Sequence, residues 1–141
     1  MLDAGVVDQH VERSEAFTRG VLRAALHAHR RFLEGDTARL RLFYVLLFDA
    51  IGPRDDLRAR FAQLHTHLRD LCEHWIAAGQ RAGEIRADVD PRAVVTVLIG
   101  ALGGIAYQAL IDPDLDLDLD PLYRNLDALA IDGLQAPGAG G

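Results

Sequence analysis

Residues 93–111 read AVVTVLIGALGGIAYQALI, a run of 19 residues without a charged side chain. Asp90 and Pro91 come just before it as an N-cap and a first-turn proline, so the run predicts a helix from about residue 91 to 111. Interior glycine costs roughly 1 kcal/mol relative to alanine, so several of them suggest that another backbone packs very close to this helix. The glycines of the run are Gly100, Gly103 and Gly104.

This apolar run is also near the length of a membrane span. A small membrane-associated helical protein is therefore one alternative, although the flanking charges Asp88, Arg92 and Asp112 show no cationic bias that would set an orientation. We favour a helix buried on two sides, one facing its own bundle and the other facing a second subunit. A helix buried only in its own core is the simpler alternative.

Four further helices are predicted on either side of this run by apolar residues at helical spacing and by capping residues. They span about residues 14–33, 37–51, 55–82 and 120–134. Ser14 is the expected N-cap of the first helix, and Gly35 and Gly83 are the expected stops of the first and the third. The predicted fold class is therefore all-α: a bundle of five helices, or six if a short N-terminal helix forms.

Two segments fall outside the helical domain of residues 14–134. Residues 1–13 are polar, and we expect either the remnant of a connecting helix or disorder. Residues 135–141, QAPGAGG, are expected to form a disordered tail by composition. The acidic linker of residues 112–120, DPDLDLDLD, has the alternating aspartates of a calcium loop but lacks the glycine and glutamate that an EF-hand needs.

The second and third helices have faces whose surroundings can be anticipated. Residues 42–48, LFYVLLF, are apolar on every side, so we expect other helices around them. Asp49 continues one of their apolar lines, and a buried carboxylate needs a partner, for which Arg23, Arg30 or Arg60 is available. The third helix carries a core-facing stripe of Leu57, Phe61, Leu64, Leu68, Leu71 and Trp75.

Composition and motifs disfavour several classes of function. The net charge of −6 argues against nucleic-acid binding by these residues, because phosphate contacts need clustered positive charge. The single cysteine, Cys72, excludes an internal disulfide and a cysteine metal cage. His67, Asp70 and His74 share a helical face, but without H-x-x-x-H spacing a solvated face is the better interpretation than a metal site. With no catalytic motif either, we predict a non-enzymatic protein without a cofactor.

The order of the segments resembles the C-terminal half of TetR-family (tetracycline-repressor-like) transcriptional regulators. Residues 79–86, GQRAGEIR, are similar to that family's G-x-x-x-G-E-I/L-R turn, and residues 88–91, DVDP, to the D-x-D-P cap that follows it. The small-residue-rich helix and its DP loop at Asp112 come next, and residues 52–61 match the junction before the third helix. The resemblance covers about residues 14–134, and no helix-turn-helix segment is found in the sequence.

The resemblance implies a bacterial homodimer whose last two helices build a four-helix interface, and whose pocket holds a small apolar or amphipathic effector. Effector binding would allosterically control operator DNA binding by a helix-turn-helix domain, as in a transcriptional repressor. A natural truncation that acts only as a dimerisation modulator is a further alternative. A cytoplasmic location is expected, because the N-terminus lacks a signal-peptide pattern.

Candidate residues follow from the apolar lines of the helices. Large or polar-tipped residues on inward lines are expected to line the pocket, and His29 among them is either a hydrogen-bonded core histidine or a ligand contact. The pocket candidates are Phe17, His29, Phe43, Tyr44, Phe48, Leu68, Cys72, Trp75 and Tyr107. The candidates for the dimer interface are Gly100, Gly103, Gly104, Leu122, Leu126 and Leu129.

Overall fold

Five α-helices make up the part of the chain that the computed structural model describes, which is residues 4–112, 114–115 and 117–138, with side chains from residue 19 onward. They are α1 (Ala4–Glu34), α2 (Thr37–Asp49), α3 (Asp55–Arg81), α4 (Pro91–Ile111) and α5 (Leu119–Leu134). Within these residues the only β pairing is an isolated bridge between Ile85 and Gln135. The all-α fold class predicted from the sequence is confirmed.

Aspartate side chains begin three of the helices. Asp90 accepts a 2.8 Å hydrogen bond from a backbone N–H in the first turn of α4, as predicted. Asp36 caps α2 in the same way. α5 begins slightly earlier than expected, because Asp118 rather than Asp120 is its N-cap. Each cap gives a partner to a backbone donor that has none inside the helix.

The first helix is longer than the apolar pattern indicated. α1 begins at Ala4, so Ser14 lies inside the helix and the prediction of Ser14 as its N-cap was wrong. No proline interrupts residues 4–13, and a helix that has already formed extends by one hydrogen bond per residue. At the other end α1 stops at Glu34, next to Gly35, as the sequence predicted.

Two clusters of buried side chains form the core, and α4 contributes to both. Ala106 of α4, which is 0% exposed, packs with Leu40 of α2. Val95 of α4, which is 1% exposed, packs with Ile76 of α3 and with Ile85 of the α3–α4 loop. One side of α4 is therefore buried within its own bundle, as the sequence indicated.

The outer face of α2 is less covered than the sequence suggested. α2 packs through one side, which carries the buried Leu40 and Tyr44, and leaves Leu42 and Val45 exposed. Residues 42–48 are therefore not surrounded by helices of this chain, and that prediction was wrong. The predicted core stripe of α3 is likewise exposed in its middle, at Leu64, Leu68 and Leu71.

Asp49 lies on the same outer face of α2 and is not buried. Its carboxylate is half exposed and forms an ion pair with Arg54 at 3.6 Å, in place of the expected Arg23, Arg30 or Arg60. The prediction of a buried Asp49 was wrong because it took every apolar line of α2 to face the core. A half-exposed carboxylate keeps much of its hydration and does not require a strong partner.

The connection between α3 and α4 is fixed by a glycine and by an amide side chain. Gly83 has a φ of +77°, a left-handed conformation that favours glycine, and it ends α3 as predicted. The side-chain amide of Gln80 donates hydrogen bonds to the carbonyls of Arg86 and Val89 at 3.1 and 2.8 Å. The loop thereby gains partners for two carbonyls that secondary structure leaves free.

The end of α5 pairs with this loop, and we call the pairing of residues 134–136 with residues 84–86 the C-terminal clip. The N–H of Arg86 donates to the carbonyl of Leu134 at 2.9 Å, and the N–H of Ala136 donates to the carbonyl of Glu84 at 3.0 Å. The first residues of the expected tail therefore have backbone hydrogen-bond partners in this fold. Composition gave no sign of this, because backbone hydrogen bonds make no demand on side-chain type.

Candidate functional site

An apolar cavity of about 110 Å³ lies between α1, α3 and α4. Among the described residues its wall has no charged side chain, and its polar side-chain atoms are the thiol of Cys72 and the indole N–H of Trp75. α3 and α4 each contribute one stripe at i, i+3, i+4 spacing, the pattern of a helix face turned inward. The α3 stripe is Cys72, Trp75 and Ile76, and the α4 stripe is Val95, Leu98, Ile99 and Leu102.

The remaining walls come from α1 and from the C-terminal clip. Leu22 and Leu26 of α1 line the cavity, and Leu26 is almost fully buried. Ile85 and Leu134 line it from the two sides of the clip, so backbone hydrogen bonds hold both side chains in the wall. The cavity therefore depends on helices that are far apart in the sequence.

Cys72 has little chemical reactivity in this wall. It is half-buried, and desolvation raises the pKa of its thiol above the ordinary value. A thiol with a raised pKa remains protonated at neutral pH, and only the thiolate is a good nucleophile or metal ligand. Cys72 therefore acts here as a small, polarisable wall residue.

The structure divides the predicted pocket residues among several places. Cys72 and Trp75 line the cavity. Leu68 is partly exposed on α3, outside the cavity wall, and His29 faces α5. The side chain of Phe17 lies outside the described residues. The prediction missed the α4 wall, because α4 is apolar on every side and spacing alone does not show which of its lines faces the cavity.

The four other predicted pocket residues form an aromatic cluster where α2 meets α4. The ring centroids of Phe43 and Tyr44 are 5.5 Å apart, and those of Phe48 and Tyr107 are 5.6 Å apart, both in edge-to-face arrangements. Tyr44 also contacts Phe48, so the cluster is continuous. Aromatic pairs of this geometry stabilise a contact between helices. The fold brings these four residues together, but they lie outside the cavity that Trp75 lines.

A polar groove of about 300 Å³ lies between α1 and α5, on the other side of Leu26. Arg23 of α1 forms an ion pair with Asp127 of α5 at 3.2 Å, and Arg30 pairs with Asp120. Two of the three arginines that line the groove are therefore matched by carboxylates across the helix contact, and the third is Arg124. Leu26 lines both the groove and the cavity and separates them.

His29 lies beside this groove and contacts the buried Tyr123 of α5. His29 Nδ1 and the hydroxyl of Tyr123 are joined by a 2.6 Å hydrogen bond. Desolvation lowers the pKa of His29 from its ordinary value of 6.5, and desolvation also raises the pKa of Tyr123 to about 12. Both groups are therefore neutral at neutral pH. This arrangement is that of a hydrogen-bonded core histidine, one of the two roles considered for His29.

The face of α4 opposite the core is uncovered in this chain. Val97 and Ile111 are 70% and 65% exposed, and Tyr107 is exposed beside them. Leu129 of α5 is 73% exposed, while its neighbours Leu122 and Leu126 are partly buried. Val97, Tyr107 and Ile111 share one face of α4, and exposed apolar residues on one helix face mark a surface that packs against a partner.

The three glycines of α4 lie on different sides of the helix. A Cβ atom added at Gly100 or Gly104 would meet nothing within 4 Å in this chain, whereas one at Gly103 would lie 3.9 Å from the Tyr44 hydroxyl. Gly103 therefore faces α2 of its own bundle. Gly100 and Gly104 leave open space along the uncovered side of α4.

α4 is long and apolar enough to cross a membrane by length and composition alone. Val95 and Ala106 hold it in both core clusters of the bundle, and they are the only residues of α4 that are buried in this chain. Most of the apolar surface of α4 is therefore left for contacts outside this chain.

The histidines of α3 show no metal-binding arrangement. Asp70 makes a 3.9 Å ion pair with Arg92 of α4 and is not gathered with His67 and His74. In the described part of the chain, no three histidine, cysteine or acidic side chains lie close enough to hold a metal ion together.

Comparison with protein families places these features in a known context. A family model described as "Tetracyclin repressor-like, C-terminal domain" matches residues 42–118, more than half of the 141 residues. The match begins within α2, covers α3 and α4 and ends at Asp118, the N-cap of α5, so it includes the α3 and α4 walls of the cavity. Comparisons with curated proteins and with solved structures gave no match.

Proposed function

The chain belongs to the tetracyclin repressor-like C-terminal domain family, and from this premise we propose that it is the effector-binding and dimerisation domain of a TetR-like transcriptional repressor. Operator DNA would be bound by a helix-turn-helix domain outside these 141 residues. The family is a regulatory one, and the proposed function is accordingly non-enzymatic.

The observation that carries the proposal is that α4 borders both the apolar cavity and an uncovered surface. With one side this helix lines the apolar cavity, through Leu98 and Leu102. With the other it presents the uncovered face that contains Val97 and Gly104. A molecule in the cavity would therefore contact the same helix on which a second subunit would pack.

This arrangement supports an allosteric mechanism. Effector binding can shift an equilibrium only if the effector has different affinities for two arrangements of the dimer. Interior side chains are close-packed, so a ligand between α1, α3 and α4 would shift α4 as a body. Two copies of α4 at a twofold interface would convert that shift into a change in the distance between two DNA-binding domains.

Trp75 provides the test of effector binding, because it is the single tryptophan of the chain and lines the cavity. We expect that members of a panel of small molecules change Trp75 fluorescence and raise Tm, since a ligand that binds only the folded state stabilises it. Ala25 lines the cavity and Ala24 does not, so Ala25→Leu should abolish both effects and Ala24→Leu should leave them.

The same experiment separates the proposal from its main alternative. A chain that dimerises but binds no member of a chemically broad panel would contradict effector binding and favour a dimerisation-only modulator. Equal responses of the Ala25→Leu and Ala24→Leu variants would place any binding outside the cavity.

A further inference from the structure

We propose that the effector of this cavity is an uncharged, compact apolar molecule of about the size of one aromatic ring. This inference rests on the proposed function and decides between the apolar and the amphipathic effectors that the family resemblance left open. It follows from the chemistry of the wall, from the cavity volume, and from the position of the charged groups beyond Leu26.

The described part of the wall holds no charged side chain. Among the described residues that form it, hydrocarbon side chains surround the Cys72 thiol and the Trp75 indole N–H. An ionised carboxylate or ammonium group would lose its hydration there and gain no partner of opposite charge. The raised pKa of Cys72 keeps the thiol neutral, so it cannot pair with a cation either.

A cluster of charges lies on the far side of Leu26 from the cavity, and most of its members are paired with one another. Arg23 and Arg30 line the polar groove on the far side of Leu26, which is 5% exposed. Both arginines make ion pairs with carboxylates of α5, Asp127 and Asp120. An amphipathic effector with its apolar part in the cavity would therefore need to displace Leu26 and break an ion pair to place its head group in the groove.

The volume limits the size of the molecule. The cavity holds about 110 Å³. A cavity of about 150 Å³ with a similar wall of leucine, isoleucine and phenylalanine stays dry and binds benzene. A single ring therefore approaches the limit of this site. The indole of Trp75 and the sulfur of Cys72 both make favourable contacts with aromatic rings, so a ring should bind better than an alkane of equal volume.

The test compares toluene, benzoate and benzylammonium, which share one ring and differ in the charge of the substituent. Each is titrated into the purified chain, with Trp75 fluorescence and Tm as the two measurements. We expect toluene to bind about 100-fold or more tightly than either ion, because the ions lose their hydration without compensation. Equal or tighter binding of benzoate or benzylammonium would overturn the inference and leave the proposed function intact.

A second comparison tests the size limit. Naphthalene should bind the unmodified chain more weakly than toluene, and Leu102→Ala, which enlarges the cavity, should raise its affinity about tenfold by removing the steric conflict. Leu42→Ala is the matched control, because Leu42 is exposed on the outer face of α2 and lies outside both the cavity and the proposed dimer interface. Tighter binding of naphthalene than of toluene to the unmodified chain would refute the size limit.

The outcomes also distinguish this inference from the function on which it rests. Binding of larger or charged panel members without binding of toluene would refute the effector class alone. If neither toluene nor any member of a broad panel binds, the cavity is not an effector site, and the proposed function fails together with the inference.

Discussion

The hydroxyl of Tyr44 on α2 donates a 3.0 Å hydrogen bond to the backbone carbonyl of Gly103 on α4. The ring of Tyr44 is buried, and its hydroxyl lies 3.9 Å from the position that a Cβ atom of residue 103 would occupy. Gly103 was expected at an interface between subunits, whereas here it faces a side chain of its own bundle. The glycine gives the tyrosine hydroxyl access to a helix carbonyl.

Removing this hydrogen bond should weaken the chain measurably. Tyr44→Phe keeps the ring in the aromatic cluster but loses the hydroxyl, so we expect the free energy of unfolding to fall by about 1 kcal/mol. Tyr107→Phe is the control, because Tyr107 is an exposed member of the same cluster, and its effect should stay within about 0.5 kcal/mol. The measurement is urea denaturation of the unmodified chain and of the two variants. Equal losses of unfolding free energy in both variants would show that the Tyr44 hydroxyl contributes nothing specific.

The bounds of α4 could be predicted from the sequence because the signals are local. Asp90 caps the helix, Pro91 fits its first turn, and no charge interrupts it before Asp112. Which helix each face would meet could not be predicted in this way. Trp75 and Tyr107 both lie on inward lines by spacing, yet one lines the cavity and the other joins the cluster between α2 and α4.

The predictions for α2 were wrong for the same reason, because spacing does not show what each face of a helix will meet. Periodicity shows which residues of a helix share a face, but for a helix that is apolar on every side it does not show which faces the rest of the chain covers. Leu42 and Asp49 were both assigned to the interior, and both are exposed. The C-terminal clip could not be anticipated either, since it is made by backbone groups far apart in the sequence.

The contact of His29 with Tyr123 should make stability depend on pH. Desolvation lowers the pKa of His29 in the folded chain from 6.5, so the unfolded chain takes up this proton first on acidification. The free energy of unfolding should therefore have its full His29 contribution above pH 6.5 and lose it as the pH falls from there through the lower folded pKa.

Two variants isolate this contribution. His29→Gln should flatten the decline of stability below pH 6.5, whereas His27→Gln, at an exposed position of the same helix, should retain it. Urea denaturation across a pH series is the measurement. A decline in His29→Gln as steep as in the unmodified chain would assign the pH dependence to other groups.

The side chain of Gln80 should be important for the α3–α4 loop. Gln80→Ala leaves the carbonyls of Arg86 and Val89 without their donor, and we expect a loss of about 1–3 kcal/mol in the free energy of unfolding. Gln80→Glu should not restore it, because a carboxylate cannot donate to a carbonyl. Gln63→Ala, at an exposed position of α3, is the control and should change little. Similar losses for the Gln80 and Gln63 variants would show that the loop does not depend on these hydrogen bonds.

The proposed dimer makes the sharpest prediction about a single position. Gly104 lies in α4, and a side chain added there meets nothing within 4 Å in its own chain. Arginine at this position should therefore be compatible with the fold of one subunit. If two copies of α4 pack across a twofold axis here, the same change inserts a long side chain into the contact and buries an unpaired charge. An obligate interface of this kind buries on the order of 2,000 Å² in total.

We therefore expect the unmodified chain to sediment as a dimer at micromolar concentration and Gly104→Arg to give monomers or aggregates. Gly20→Arg is the matched control, because Gly20 is an exposed glycine of α1 with nothing within 4 Å of an added Cβ atom, and it lies outside the proposed interface. That variant should remain a dimer. If the Gly104→Arg chain is still a dimer, the interface does not include this part of α4. If the unmodified chain is a monomer, dimerisation itself is contradicted, because the uncovered face of α4 would then have no second copy against it.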